Sequence, residues 1–296
     1  MGADPMLELS EYFFFAGLIA TILALVGYVL ALASVRVART QPALAGPQPS
    51  AGTVTVVRGE PGGLASFGTL TTWLALAFLT GTLVLRAVAT GHGPFSNMYE
   101  FSIAFAWGSL AVYLYFERRY RLWVLGVVVL PVAVALLLYA TTLPTAADPL
   151  VPALQNSLLL TVHVAVAIVA YGAFAVAFAA AILFLIQSRF ATRRLPNAQL
   201  LDDISYRATL VGFPFLTLVI VLGALWAEVA WGRYWSWDPK ETASLVTWLI
   251  CGAYLHARVV RGWRGERAAL LLMAVFVATL FTFFGNLFFG GLHSYA

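Results

Sequence analysis

The chain has 296 residues, 61% of them hydrophobic and 10% charged, with a mean hydropathy of +0.88. A soluble domain cannot hide that much apolar surface, so lipid is the expected solvent. The single cysteine, Cys251, excludes a disulfide framework, and the formal charge of +4 is read as a sign of membrane topology rather than of nucleic-acid binding.

A spanning helix needs about 20 mostly apolar residues. Eight stretches qualify in chain order: 12–34, 68–90, 98–116, 121–140, 158–187, 207–230, 240–260 and 267–290. The expected fold is all-α: a polytopic membrane protein forming one helical domain over residues 1–296. Asp4, Glu8 and Glu11 precede the first span where a cleaved signal would carry basic residues, so it is read as a retained helix. Residues 41–66 are rich in Pro, Gly, Ala and Ser and read as a flexible connection. The stretch "GHGPFSNMYEF", 91–101, follows the second span, and Asn97 and Glu100 have capping-box spacing at the start of the third. The fifth span is long enough to tilt or to project from the bilayer. Before the seventh stands "WGRYWSWDPKE", 231–241, in which Asp238, Pro239, Lys240 and Glu241 read as N-cap to N3 with a second capping box. Cys251, inside that span, reads as a small buried side chain.

Basic residues set the orientation. Of the 17 Lys and Arg, 14 fall in the first, third, fifth and seventh loops, leaving Arg86, Arg233 and Lys240 on the other side. The positive-inside rule makes those odd loops cytoplasmic and puts both termini outside.

That orientation sorts the four histidines by depth. His92 is in an outer loop, His163 is just inside the outer end of span five, and His293 follows span eight on the outside. His256 is near the cytoplasmic end of span seven, roughly 27 Å from Asp238 at 1.5 Å per residue. An intramembrane histidine can be a hydrogen-bonded packing residue, but burying an ionisable group in lipid is costly and more often serves function. His163 and His293 share a level, which suits two axial ligands of a haem. His256 has no second histidine at its depth, so a haem there is either singly ligated or completed by another subunit. Its neighbours Tyr254 and Arg258 are candidates to supply a hydrogen bond and a charge. Zinc fits poorly, since neither HExxH nor a cysteine pair occurs.

The loop 226–241 is the other concentration of chemistry. Trp226, Trp231, Trp235, Trp237 and Trp248 flank it, five of the nine tryptophans. An interfacial aromatic belt is ordinary, but it does not explain this density. If the loop is helical, Trp231 and Trp235 share a face. An aromatic face bordered by Arg233 and Lys240 suits a planar apolar ligand that carries carboxylates.

These residues resemble a known family. "WGRYWSWDPKETASLVTWLICGAYLHAR", "FSNMYEF", "LTVHVAVAIVAYGAF" and "GLHSY" together are similar to the tryptophan-rich "WWD" haem-handling proteins, in particular the CcsA (ResC) branch of system II cytochrome c biogenesis. The resemblance implies a protein of the cell inner membrane that carries haem b outward and presents it on the outer face to the CxxCH motif of apocytochrome c. It implies that His163 and His293 are the external haem ligands, beside Trp231, Trp235, Trp237 and Asp238, and that His256 ligates an inner haem whose second ligand comes from a CcsB (ResB)-like subunit. A thiol-reducing thioredoxin-like protein is a further implied partner. His92 matches no family ligand and is left out of the set.

The expected function is the haem-handling part of a cytochrome c haem lyase, with positional catalysis and no protein nucleophile. Two other readings remain: a b-type membrane cytochrome for electron transfer, and a haem exporter without ligation activity.

Overall fold

The computed structural model describes residues 4–35, 62–147, 150, 154–155 and 157–293. Its described residues form eight α-helices: α1 Pro5–Ser34, α2 Gly63–Thr90, α3 Met98–Tyr120, α4 Gly126–Ala140, α5 Ser157–Phe190, α6 Ala198–Trp231, α7 Pro239–Val260 and α8 Glu266–Phe288. A 3-10 turn, Trp123–Leu125, leads into α4. Seven of the spans are long and apolar enough to cross a bilayer, and the chain is a multi-pass membrane protein.

The exception is α3. It is 23 residues long but carries Glu100, Ser102, Ser109 and Glu117 among its buried positions. Such a helix faces other helices instead of lipid, so packing replaces hydropathy as the reason it is there. Its close neighbour is α5. A Cβ on Gly172 would lie 2.8 Å from the Gly108 carbonyl oxygen, and one on Gly108 would lie 2.1 Å from Ile168. Small residues on facing helices permit this backbone approach.

The helix ends follow local grammar. α1 begins seven residues before the expected span because Asp4 accepts from the Met6 N–H and Pro5 occupies the first turn. α2 begins at Gly63, so the last residues of the expected 41–66 connection are helical, and residues 41–61 of that connection lie outside the described residues. α6 begins nine residues early, at Ala198, where the Asn197 side chain accepts from Leu200 N–H. The α6 extension carries Asp202, which forms a buried ion pair with Arg258 of α7, Nη2 to Oδ2 at 2.7 Å. α5 and α6, each 34 residues long, run roughly 50 Å and so exceed the hydrocarbon thickness.

Asn97 caps α3 as expected, accepting from Glu100 N–H at 3.0 Å. Glu100, however, does not complete the box. Its Oε1 accepts from Arg86 Nε at 2.8 Å and its Oε2 from the backbone and hydroxyl of Ser96. Both side chains of the Arg86–Glu100 pair are fully buried, and the guanidinium lies over the Tyr99 ring at 4.9 Å. Glu100→Gln leaves Arg86 buried beside a neutral group and is expected to destabilise the protein by about 3–5 kcal/mol. Thermal unfolding of the purified variant, followed by circular dichroism, checks this. An unchanged midpoint would mean that the pair contributes nothing net.

Candidate functional site

The short connections between successive helices place 91–97, 232–238 and 289–293 at one end of the bundle. Between α3, α5, α6, α7 and α8, that end holds a cavity with about 1060 Å³ of empty space, part of it open to the outside. Phe101, Phe105, Tyr171, Trp226, Tyr234, Trp235 and Phe283 supply aromatic wall, and His163, Lys240, Glu241 and His293 supply polar groups.

His163 comes from the second turn of α5. α6 crosses it at Gly223, where an added Cβ would lie 2.9 Å from the ring Cε1. The ring therefore depends on a missing side chain for its place. Its Nδ1 is buried with no hydrogen-bond partner among the described residues, although the ring also meets the Val219 backbone. A buried polar atom needs a partner, and the Val219 backbone is the group the ring meets. If the cavity is a haem site, Gly223→Ala should push the imidazole aside and lower haem retention severalfold while the protein still inserts, as judged by haem content per purified chain. Wild-type haem content would remove Gly223 from the site.

His293 reaches the same cavity from the segment after α8. Its Nδ1 lies 2.8 Å from Asp238 Oδ1, and its ring meets Trp231 edge-on at 4.8 Å and Trp226 at 5.7 Å. Burial lowers the His293 pKa, the Asp238 hydrogen bond raises it in part, and the neighbouring Lys240 lowers it again. The net shift is downward, which favours the neutral ring. For Asp238, burial alone would raise the pKa, but hydrogen bonds from His293, Lys240 N–H and Leu292 N–H hold it at about 2.

The expected capping box of α7 is present. Asp238 accepts from Lys240 N–H at 2.9 Å, and Glu241 accepts from Asp238 N–H at 3.2 Å. Glu241 also accepts from Ser236, holding the loop above the cavity. Lys240 lies over Phe101 at 5.5 Å.

The tryptophan loop is not helical. α6 ends at Trp231, Gly232 adopts φ +70, and residues up to Asp238 are irregular, so Trp231 and Trp235 do not share a helix face. Trp235 lines the cavity and its Nε1 is buried with no partner among the described residues. Trp231 stands behind His293 and Trp226, whereas Trp237 is 69% exposed and touches Trp235 edge-on at 5.7 Å. Arg233 is exposed on the loop. Trp248 donates to Thr217 at 2.9 Å and stacks on Phe213, away from the cavity wall.

His256 lies toward the opposite end of α7, on an exposed part of the helix. Tyr254 and Arg258 do not sit beside its ring. They are buried, and Arg258 is committed to Asp202. Residues two apart on a helix point to different sides, so the buried face of α7 takes Tyr254 and Arg258 while His256 turns outward. His92, in the 91–97 loop, has Nδ1 2.9 Å from the Gly93 carbonyl oxygen.

The family profile described as "Cytochrome C assembly protein" matches residues 95–293, from the loop before α3 to the second cavity histidine. The chain belongs to this family. It is 38% identical over 290 residues to the "Cytochrome c biogenesis protein CcsA" of Microcystis aeruginosa, covering 79% of this chain and 87% of the relative. It is 37% identical over 294 residues to the protein of that name from Gloeobacter violaceus, covering 78% and 87%. It is 41% identical over 225 residues to the one from Chlamydomonas reinhardtii, covering 72% and 64%. In three dimensions it is similar to a solved "Cytochrome c Heme Lyase CcmF", with TM-score 0.68 and 17% identity over 96% of this chain and 47% of that one. At that identity the likeness concerns the fold.

Sequence reasoning missed Gly223, Phe101 and Tyr171 as parts of this site. The quoted motif "FSNMYEF" signalled Phe101. Tyr171 lies within the quoted "LTVHVAVAIVAYGAF", whereas Gly223 gives no local signal, because its role depends on which helices meet.

Proposed function

We propose that the cavity holds haem b between His163 and His293 and presents it for covalent attachment to apocytochrome c, within cytochrome c biogenesis. One observation carries this reading: two histidines more than a hundred residues apart line one aromatic cavity. Neutral imidazoles are suitable iron ligands. Trp226 and Trp235 offer apolar faces to a macrocycle, and Lys240 and the indole N–H of Trp235 offer a charge and a donor to its carboxylates.

Bound haem supplies two vinyl groups, across which cysteine S–H bonds add to form thioethers. The chain's own work is positional. The histidines fix height and tilt, the aromatic walls exclude water, and the Trp235–Trp237 rim leaves an edge open to a client. The basic-residue distribution supports placing the cavity on the outer face of the inner membrane. The exposed His256 supports an inner haem completed by a CcsB-like subunit, with a thioredoxin-like reductant keeping client thiols reduced.

Co-expression of this chain and its partner with a reporter CxxCH apocytochrome, followed by covalent haem staining, tests the function. Haem-stained reporter is the expected result. A complex that keeps and reversibly cycles its haem without labelling the reporter would favour the electron-transfer reading.

The tryptophans should rank by position. Trp235→Ala and Trp226→Ala should lower haem content severalfold, as expected for losing a ring contact of about 1 kcal/mol. Trp237→Ala should lower it least, being exposed. Equal losses in all three, measured by haem extraction, would contradict the cavity assignment.

A further inference from the structure

We infer that Asp238 is a positioning residue for His293: one carboxylate opens α7 and also docks the segment after α8, fixing which ring nitrogen of His293 carries the lone pair. The inference rests on the reading of the cavity as a haem site.

An N-cap needs one acceptor for one early N–H of the helix. Asp238 does more. Its Oδ1 accepts from Lys240 N–H at 2.9 Å and faces His293 Nδ1 at 2.8 Å, and its Oδ2 accepts from Leu292 N–H at 2.6 Å. Two of these partners are more than fifty residues away in sequence. The side chain is 2% exposed, so water does not replace them.

A carboxylate is acceptor-only. The hydrogen on the Asp238–His293 contact therefore belongs to Nδ1, and Nε2 of the neutral ring has the lone pair. Metal-bound histidines are typically oriented in this way by a carboxylate on the other nitrogen, which also makes the ligand more basic.

The backbone is shaped for the same contact. A Cβ at Gly291 would lie 2.3 Å from Asp238 Oδ2 and 2.9 Å from Pro239 Cδ. A side chain there would force the segment off α7 and carry His293 with it. Asp238 and Gly291 thus form one latch. The aspartate acts through the histidine and does not line the cavity itself.

The test uses the full chain purified with its partner and carrying haem from the host. Asp238→Asn keeps a good N-cap, since Asn and Asp are nearly equal there, but it has one acceptor oxygen where the carboxylate has two. It should weaken haem binding at least about tenfold, the usual scale for losing a ligand's supporting partner. It should also raise the midpoint potential of the remaining haem, because a less electron-rich imidazole stabilises the oxidised iron less. Gly291→Ala, which keeps the aspartate itself and pushes the segment after α8 away from it, should reproduce both changes. In a His293→Ala background without added imidazole, adding Asp238→Asn should cost nothing further.

Wild-type affinity and potential in Asp238→Asn and Gly291→Ala, with His293→Ala defective, would overturn the latch and leave the haem reading standing. An equal loss from Asp238→Asn with and without His293 would overturn it too, because the aspartate would then act independently. An unchanged haem spectrum in His293→Ala would overturn both readings.

Discussion

His163→Ala and His293→Ala are each expected to empty the cavity of stably held haem and to stop maturation of a reporter cytochrome c. On the proposed reading each removes a haem ligand, and the loss should be no smaller than the tenfold or more typical of losing a ligand's supporting partner. The two should differ in how well they are rescued. Truncating His163 leaves a buried space between α5 and α6, against Gly223, of the size of the lost imidazole. Free imidazole should settle there and restore part of the haem. Truncating His293 also removes the ring that Trp226 and Trp231 pack against and a partner of Asp238, so the segment after α8 loses one of its anchors. Rescue should be weaker. The measurement is reporter haem staining with and without millimolar imidazole. Normal maturation in either variant without imidazole would remove that histidine from the site.

His256→Ala is expected to have the second large effect, through a different route. His256 is on the exposed side of α7, while the buried side is occupied by the Arg258–Asp202 pair. A haem held there needs a second ligand from outside the chain, and the outward face of α7 is where a partner helix would bring it. The chain purified alone should retain little inner haem, and co-expression with the partner should raise it severalfold. His256→Ala should then lower haem at both sites if the inner site feeds the outer one, whereas His163→Ala should leave the inner site loaded. Quantifying haem in the two variants, each co-purified with the partner, separates these outcomes. Normal outer loading in His256→Ala would end the relay.

Much of this fold is written in hydropathy. The apolar runs of α1, α2 and α4 to α8 stand out because lipid demands them, and the caps at Asn97 and Asp238 are readable because they are local. The limits of α1 and α6 were less legible. Their polar first turns lie beyond the apolar run and are held by a cap at Asp4 and by the distant Arg258. α3 has the length of a span, but its buried Glu100 and Glu117 are satisfied by Arg86 and by Tyr28 and Thr69, partners that hydropathy cannot reveal.

The site was legible in part for the same reason. His163 and His293 stand out as costly residues at one depth, and the tryptophan loop stands out by composition. The division of labour inside the loop was hidden. Whether Trp231, Trp235 or Trp237 faces the cavity depends on how the chain turns after Gly232, and the expectation of a shared helical face fails at that turn. The pairing of Asp238 with His293 was hidden as well, because capping grammar fully accounts for an aspartate at that position and gives no reason to look further.

The central claim is that His163 and His293 are the two axial ligands of one haem. Low-temperature electron paramagnetic resonance on the oxidised chain–partner complex, beside His163→Ala and His293→Ala, tests it most directly. The wild type should show a low-spin signal of bis-histidine type from the cavity haem. Each variant should lose it in favour of a high-spin signal, and added imidazole should return the low-spin form, more fully in His163→Ala. Bis-histidine signals of undiminished intensity in both variants would contradict the account.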